Sequence, residues 1–138
     1  MTPSATPSIV RSNPSELGTP PGYSQIVDVS ASRFIFISGQ TALDGGGNLV
    51  GKDDFAAQAA QVFRNLAIAL QDRGCSAANL VKLTVFLTDM DHLGVYREAR
   101  NRFFASVSPP SAPAVTLIEV SKLYGPEFMI EIEAIAAV

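Results

Sequence analysis

One cysteine, one histidine and few charges bound what this 138-residue chain can do. With a single Cys75, a single His92 and no HExxH or CxxC spacing, a metal site built from protein ligands has little support. The lone cysteine excludes an intrachain disulfide, which fits a reducing compartment. Ten Lys and Arg stand against thirteen Asp and Glu, a net charge of −3, and no window gathers the positive charges into a stripe. Nucleic-acid binding driven by counterion release is therefore disfavoured. No apolar run approaches the roughly 18 residues that span a bilayer, so no membrane partner is expected. The first eight residues lack the charge and apolar core of a secretory signal. The expected address is the cytoplasm. Gly45, Gly46 and Gly47 are not followed by the Lys-Ser/Thr of a phosphate loop, so they read as a flexible turn.

What is present is apolar: hydrophobic residues make up 47% and charged ones 17%, against about 25% charged in an ordinary soluble domain. A surface this poor in charge leans towards burial between subunits. The length fits a single domain, 1–138, able to hide about two thirds of its unfolded surface. Residues 1–20, punctuated by Pro3, Pro7, Pro14 and Pro20, read as an extended N-terminal arm, mobile at its start.

Two β-rich runs, Tyr23 to Val29 and Phe34 to Ser38, joined by Ala31-Ser32-Arg33, suggest a hairpin. Phe55, Ala59, Val62, Phe63, Leu66 and Leu70 then recur at helical spacing. Asp53 or Asp54 is placed to cap that helix, and Arg73-Gly74 to close it. Leu80 to Leu87 returns to strand composition, and a second helix runs from about His92 to Phe104, with Arg100 the odd charge near its apolar side. Ala114 to Val120 and Phe128 to Val138 complete the order β-β-α-β-α-β-β. Right-handed crossovers put both helices on one face of a mixed sheet, an α+β architecture with the other face bare. A bare apolar face is what a subunit closing a barrel with its own copies presents.

The last strand alternates, and the face that carries Met129 and Ile135 also carries Glu131 and Glu133. Either that face is solvated, or the carboxylates border a polar cleft or a subunit seam, because dry burial would drive them to protonate.

Four stretches, taken in order, resemble the Rid/YjgF family of imine and enamine deaminases, also called the endoribonuclease L-PSP family. They are Phe36 to Gln40, Ala56 to Gln58, Val81 to Asp89, and Ile130 to Ala136. The resemblance implies a chorismate-mutase-like fold and a homotrimer around an inner β-barrel, with a small-molecule cleft at each subunit interface. It also implies water-driven conversion of a 2-imino or 2-enamino acid to a 2-oxo acid and ammonia, with no cofactor and no metal. By position, Tyr23, Ser38 and Gly39 line the cleft, the backbone of Leu117 faces the ligand, and Glu131 holds or activates the attacking water.

One departure limits the analogy. Deaminating members read Pro-Ala-Arg-Ser, and their Arg grips the substrate carboxylate; here Val115 stands in that place within Pro113-Ala114-Val115-Thr116. A charge-assisted contact of this kind contributes roughly 1.5 to 3 kcal/mol, so ordinary 2-imino acids are not the expected substrates. Arg97, or Arg100 one turn further, could supply a replacement anchor; otherwise Arg97 is an exposed arginine beside Glu98. His92 reads as a surface residue and Cys75 as part of a connector. Three functions stay open: a hydrolytic deaminase with altered substrate, a non-catalytic ligand-binding trimer, and a ribonuclease-like translation inhibitor, which the acidic balance disfavours.

Overall fold

The computed structural model describes residues 6–138. Six strands and two helices follow in the order β1 (Ser8–Ser12), β2 (Ile26–Ser30), β3 (Phe34–Gln40), α1 (Phe55–Asp72), β4 (Leu80–Leu87), α2 (Leu93–Phe104), β5 (Ala114–Glu119) and β6 (Ile130–Ala137). A four-stranded mixed sheet runs β3-β6-β4-β5, with β5 parallel to β4 and β6 antiparallel to both its neighbours. Both helices cover one face, the arrangement of the chorismate-mutase-like fold.

The expected hairpin between the first two β-rich runs does not form. The strand β2 pairs antiparallel with β1, so the Pro- and Ser-rich arm is in part a strand. The link fails as a hairpin because the backbone N–H groups of Ser32 and Arg33 both donate to the Val138 carbonyl, at 2.9 and 3.0 Å. That turns β3 onto the last strand instead. The expected mobility of the arm's start lies outside the described residues.

The helix α1 begins where Asp54 accepts a hydrogen bond from the Ala57 N–H at 3.1 Å, a cap that contributes about 1 kcal/mol. It ends at Gly74, whose φ of 73° is costly for a residue with a Cβ. Its buried row, Phe55, Ala59, Val62, Phe63, Leu66 and Leu70, meets Ile130, Ile132, Ala134 and Ala136 of β6 and Leu83 and Val85 of β4 in one core. Gln58, fully buried in the same row, acts as a clamp. Its Nε2 donates to the carbonyls of Gly51 and Glu127 at 3.0 and 2.9 Å, and its Oε1 accepts from the Met129 N–H at 3.0 Å. The entry to β6 is thereby fixed on α1.

The opposite face is open. Phe34 and Phe36 are 50% and 76% exposed there, beside Glu131, Glu133 and Ile135 of β6. The glycine loop is better ordered than a flexible turn. Asp44 Oδ1 accepts from the N–H groups of Gly46 and Asn48, both at 2.9 Å. These bonds, that of Asn48 most, hold its carboxyl below the usual range. Among the described residues no helix is long and apolar enough to cross a membrane.

Candidate functional site

Two groups of side chains gather on different sides of the sheet. On the open face, the bulge between Ile37 and Gln40 sets Ser38 and Gly39 beside β6. Alternation along β6 aims Glu131 and Glu133 at the same face, opposite Phe86 and Thr84 of β4. Gly39 is what lets Glu131 lie there: a Cβ on residue 39 would overlap the Glu131 carboxylate. Burial first, and then the neighbouring Glu133 carboxylate, push the Glu131 carboxyl above its ordinary pKa. A concavity of about 380 Å³ adjoins, lined by Phe36, Ser38, Lys82, Thr84, Glu133 and Ile135.

The second group encloses a cavity of about 350 Å³ between α2 and β5. Val115 and Leu117 of β5 supply an apolar wall, and Tyr96, Arg97 and Arg100 of α2 the opposite one. Tyr23, Met90 and Leu93 complete the lining. Tyr23 is brought here by the next residue. The Ser24 N–H donates to the Pro113 carbonyl at 3.0 Å, forming a parallel bridge to Ala114 at the free edge of β5.

Each position named from sequence therefore falls in one of these two places: Ser38, Gly39 and Glu131 on the open face, and Tyr23, Arg97, Arg100, Val115 and Leu117 around the cavity. The 380 Å³ concavity adjoins the first set, and the 350 Å³ cavity is lined by the second. Arg97 is exposed, as a surface arginine would be, yet it lines the cavity with Arg100, which is buried. His92 is not a plain surface residue. Its ring stacks on Phe55 at 4.3 Å between centroids, with Nδ1 buried and without a partner. Cys75 is half-buried in its connector. Tyr124 shares a 2.6 Å hydrogen bond with Thr41.

Sequence reasoning missed Tyr96, Met90 and Leu93. Tyr96 was legible only as part of an apolar helix stripe. Its spacing of four from Arg100, which stacks the two side chains on one helix face, was the available signal. Among the described residues no three His, Cys, Asp or Glu side chains gather where a metal ion could be held.

Comparison with known proteins bears on the family and the fold. The family profile described as Endoribonuclease L-PSP matches residues 14–138. A RutC family protein of Synechocystis is 35% identical over 109 residues, 78% of this chain and 81% of that one. The mouse 2-iminobutanoate/2-iminopropanoate deaminase is 37% identical over 114 residues, 83% of this chain and 79% of its own. Among solved structures, YyfB of Yersinia pestis, described as a Rid-family protein of unknown function, superposes with a TM-score of 0.80 at 28% identity. That match covers 96% of this chain and 98% of the other.

Proposed function

We propose, because the chain belongs to the Rid/YjgF (endoribonuclease L-PSP) family, that it is a cofactor-free hydrolytic deaminase acting on a small imine, enamine or related nitrogen compound. The working site is the cleft of a homotrimer. The Ser38, Gly39 and Glu131 face of one subunit meets the Tyr23, Val115 and Leu117 cavity of its neighbour across the seam left by the bare sheet.

The observation that carries this reading is the Glu131 carboxyl. It sits against Gly39, on a sheet face that would be closed by another subunit, and its proton affinity is raised. A carboxylate of raised pKa is a stronger base than a solvated one. In the reaction, Glu131 takes a proton from water as the water oxygen bonds to the imine carbon. The C=N electron pair moves to nitrogen, which takes that proton back from the Glu131 carboxyl. The carbinolamine hydroxyl then passes its proton to nitrogen through Glu131, the C–N bond breaks, and ammonia leaves as the carbonyl forms.

Val115 sets the difference from relatives that act on 2-imino acids. Valine offers neither the charge nor the bidentate geometry of an arginine, so a 2-imino acid loses its strand-side grip. The same apolar wall favours, as second reading, a trimer that binds a ligand without turning it over. The test is ammonia release from enzymatically generated 2-iminobutanoate and 2-aminoacrylate, wild type beside Val115→Arg. Weak wild-type activity that rises with the substitution supports an intact deaminase cleft of altered specificity. Inactivity of both proteins towards every imine tried sinks the deaminase reading and leaves the binding trimer.

A further inference from the structure

Arg100 is the one charged side chain among the described residues that is buried, with 4% of its surface exposed. No carboxylate compensates it, for the ion pair among the described residues is Arg73 with Asp72 at the surface. A buried unpaired cation is costly unless something else solvates it. Part of the compensation is visible. Nε and Nη2 donate to Asn101 Oδ1 at 3.3 and 3.2 Å, and Nη2 also donates to the Pro21 carbonyl at 2.9 Å. The guanidinium carbon lies 5.7 and 5.9 Å from the ring centres of Tyr96 and Phe104, within cation–π range. Gly22 makes the room: a Cβ there would come within 2.6 Å of Nη2, and its φ of +81° already disfavours any side chain.

The compensation is incomplete. Nη1 carries two of the five guanidinium donors and makes no hydrogen bond among the described residues. One helical turn earlier, Tyr96 is fully buried; its hydroxyl oxygen faces the Arg100 guanidinium, and its proton has no acceptor among the described residues. Burial pushes the Tyr96 pKa up to about 12 against the opposing pull of Arg100, so the hydroxyl stays protonated and able to donate. Both groups line the cavity under Val115 and Leu117, and Arg97 adds a second cation to the same lining with no acid among the residues there. Unused donors and uncompensated positive charge in one small cavity describe a site for an anion.

We propose that Arg100 and the Tyr96 hydroxyl form an anion subsite in this cavity, holding the carboxylate of a small organic acid from the helix wall in place of the strand wall. The proposal rests on the reading given above only for what happens to the ligand's C–N bond. It makes the substrate an imine or enamine acid whose carboxylate reaches α2, and it assigns Arg97 an accessory place at the mouth.

The test is equilibrium binding of 2-oxobutanoate against its neutral amide, measured by calorimetry on the intact protein and on Glu131→Gln. The acid should bind the wild type about tenfold or more tightly than the amide, and Glu131→Gln should keep that preference. Arg100→Gln and Tyr96→Phe should each reduce it, Arg100→Gln nearly to unity, while Arg97→Gln should change it less than threefold or so at ordinary ionic strength. Should Arg100→Gln fail to fold, nitrogen NMR of the wild-type guanidinium replaces it: the acid, and not the amide, should shift the Arg100 side-chain resonances. Equal affinity for acid and amide, or a preference lost with Arg97 alone, overturns the subsite. Turnover of imines without acid preference would remove the subsite and leave the deaminase reading standing. Acid preference without turnover would do the reverse.

Discussion

Gly39 and Glu131 occupy space that a Cβ on residue 39 would contest, so the position of the carboxylate is set by the absence of a methyl group. Gly39→Ala should displace Glu131 and, if Glu131 holds the attacking water, cut ammonia release by roughly ten- to a hundredfold, since a displacement of about 1 Å can cost that much. Thermal unfolding should change little. Full activity in Gly39→Ala would mean that the reaction does not depend on where this carboxylate lies.

Glu131→Gln keeps the shape and removes the base. Turnover should fall by about a hundredfold to ten-thousandfold, with the sheet and the assembly unchanged by circular dichroism and light scattering. Unchanged turnover would take Glu131 out of the mechanism.

The same substitution carries a pH signature. Because the folded-state pKa of Glu131 is raised, the folded protein holds a proton that the unfolded chain has already lost, and ionising Glu131 opposes folding. Its penalty is absent below the ordinary glutamate value of 4.5 and grows as pH rises through the folded value. Glu131→Gln should therefore raise Tm at pH 7 and leave it nearly unchanged at pH 4. The opposite order would show that the carboxylate gains, and does not lose, on folding.

Gln58→Leu should unfold the protein more easily by about 2–4 kcal/mol, because it strands two carbonyls and the Met129 N–H without partners in a dry core. Urea denaturation measures this directly. A loss below about 0.5 kcal/mol, the scale of an ordinary surface change, would mean that the neighbouring backbone finds other partners.

Phe36→Asp tests the assembly. Burying a Phe side chain contributes roughly 1.5–3 kcal/mol per copy, and Phe36 is 76% exposed in the single chain. The substituted protein should run as a monomer in light scattering while keeping its helical circular dichroism. A trimer mass unaffected by the charge would move the interface off this face.

Much of the fold could be read from period alone. The apolar row from Phe55 to Leu70 matches the buried row of α1, and β4 begins and ends at Leu80 and Leu87 as its alternation suggests. The odd-numbered face of β6 carries the glutamates to the open side, as its pattern required. The hairpin was misread because a tight link says that two strands turn, not which neighbour accepts their hydrogen bonds; here Val138, far along the chain, does. The strand in the arm was hidden because only Ile9 and Val10 interrupt its polar residues.

The candidate site was legible by residue type and not by place. Val115 could be named only through the family resemblance, as the residue standing in the place of an arginine after Pro113-Ala114, and Arg97 and Arg100 by their places on the second helix. That Arg100 is buried and Arg97 exposed follows from Pro21 and Gly22 lying over the helix, and nothing in the local sequence announces that contact.

The bridge between Ser24 and Ala114 also orders events in time. Pro21, whose carbonyl accepts from Arg100, sits on this same N-terminal segment, and its docking strand comes from the far half of the chain. Closing so long a loop is slow, and the segment emerges from synthesis long before its partner exists. The dehydration of Arg100 is thus expected to follow the shorter-range pairing of β4 with β5 and β6. In refolding followed by hydrogen exchange, the Ser24 amide should gain protection after those of α1 and β4; simultaneous protection would place the docking, and the cavity it completes, earlier.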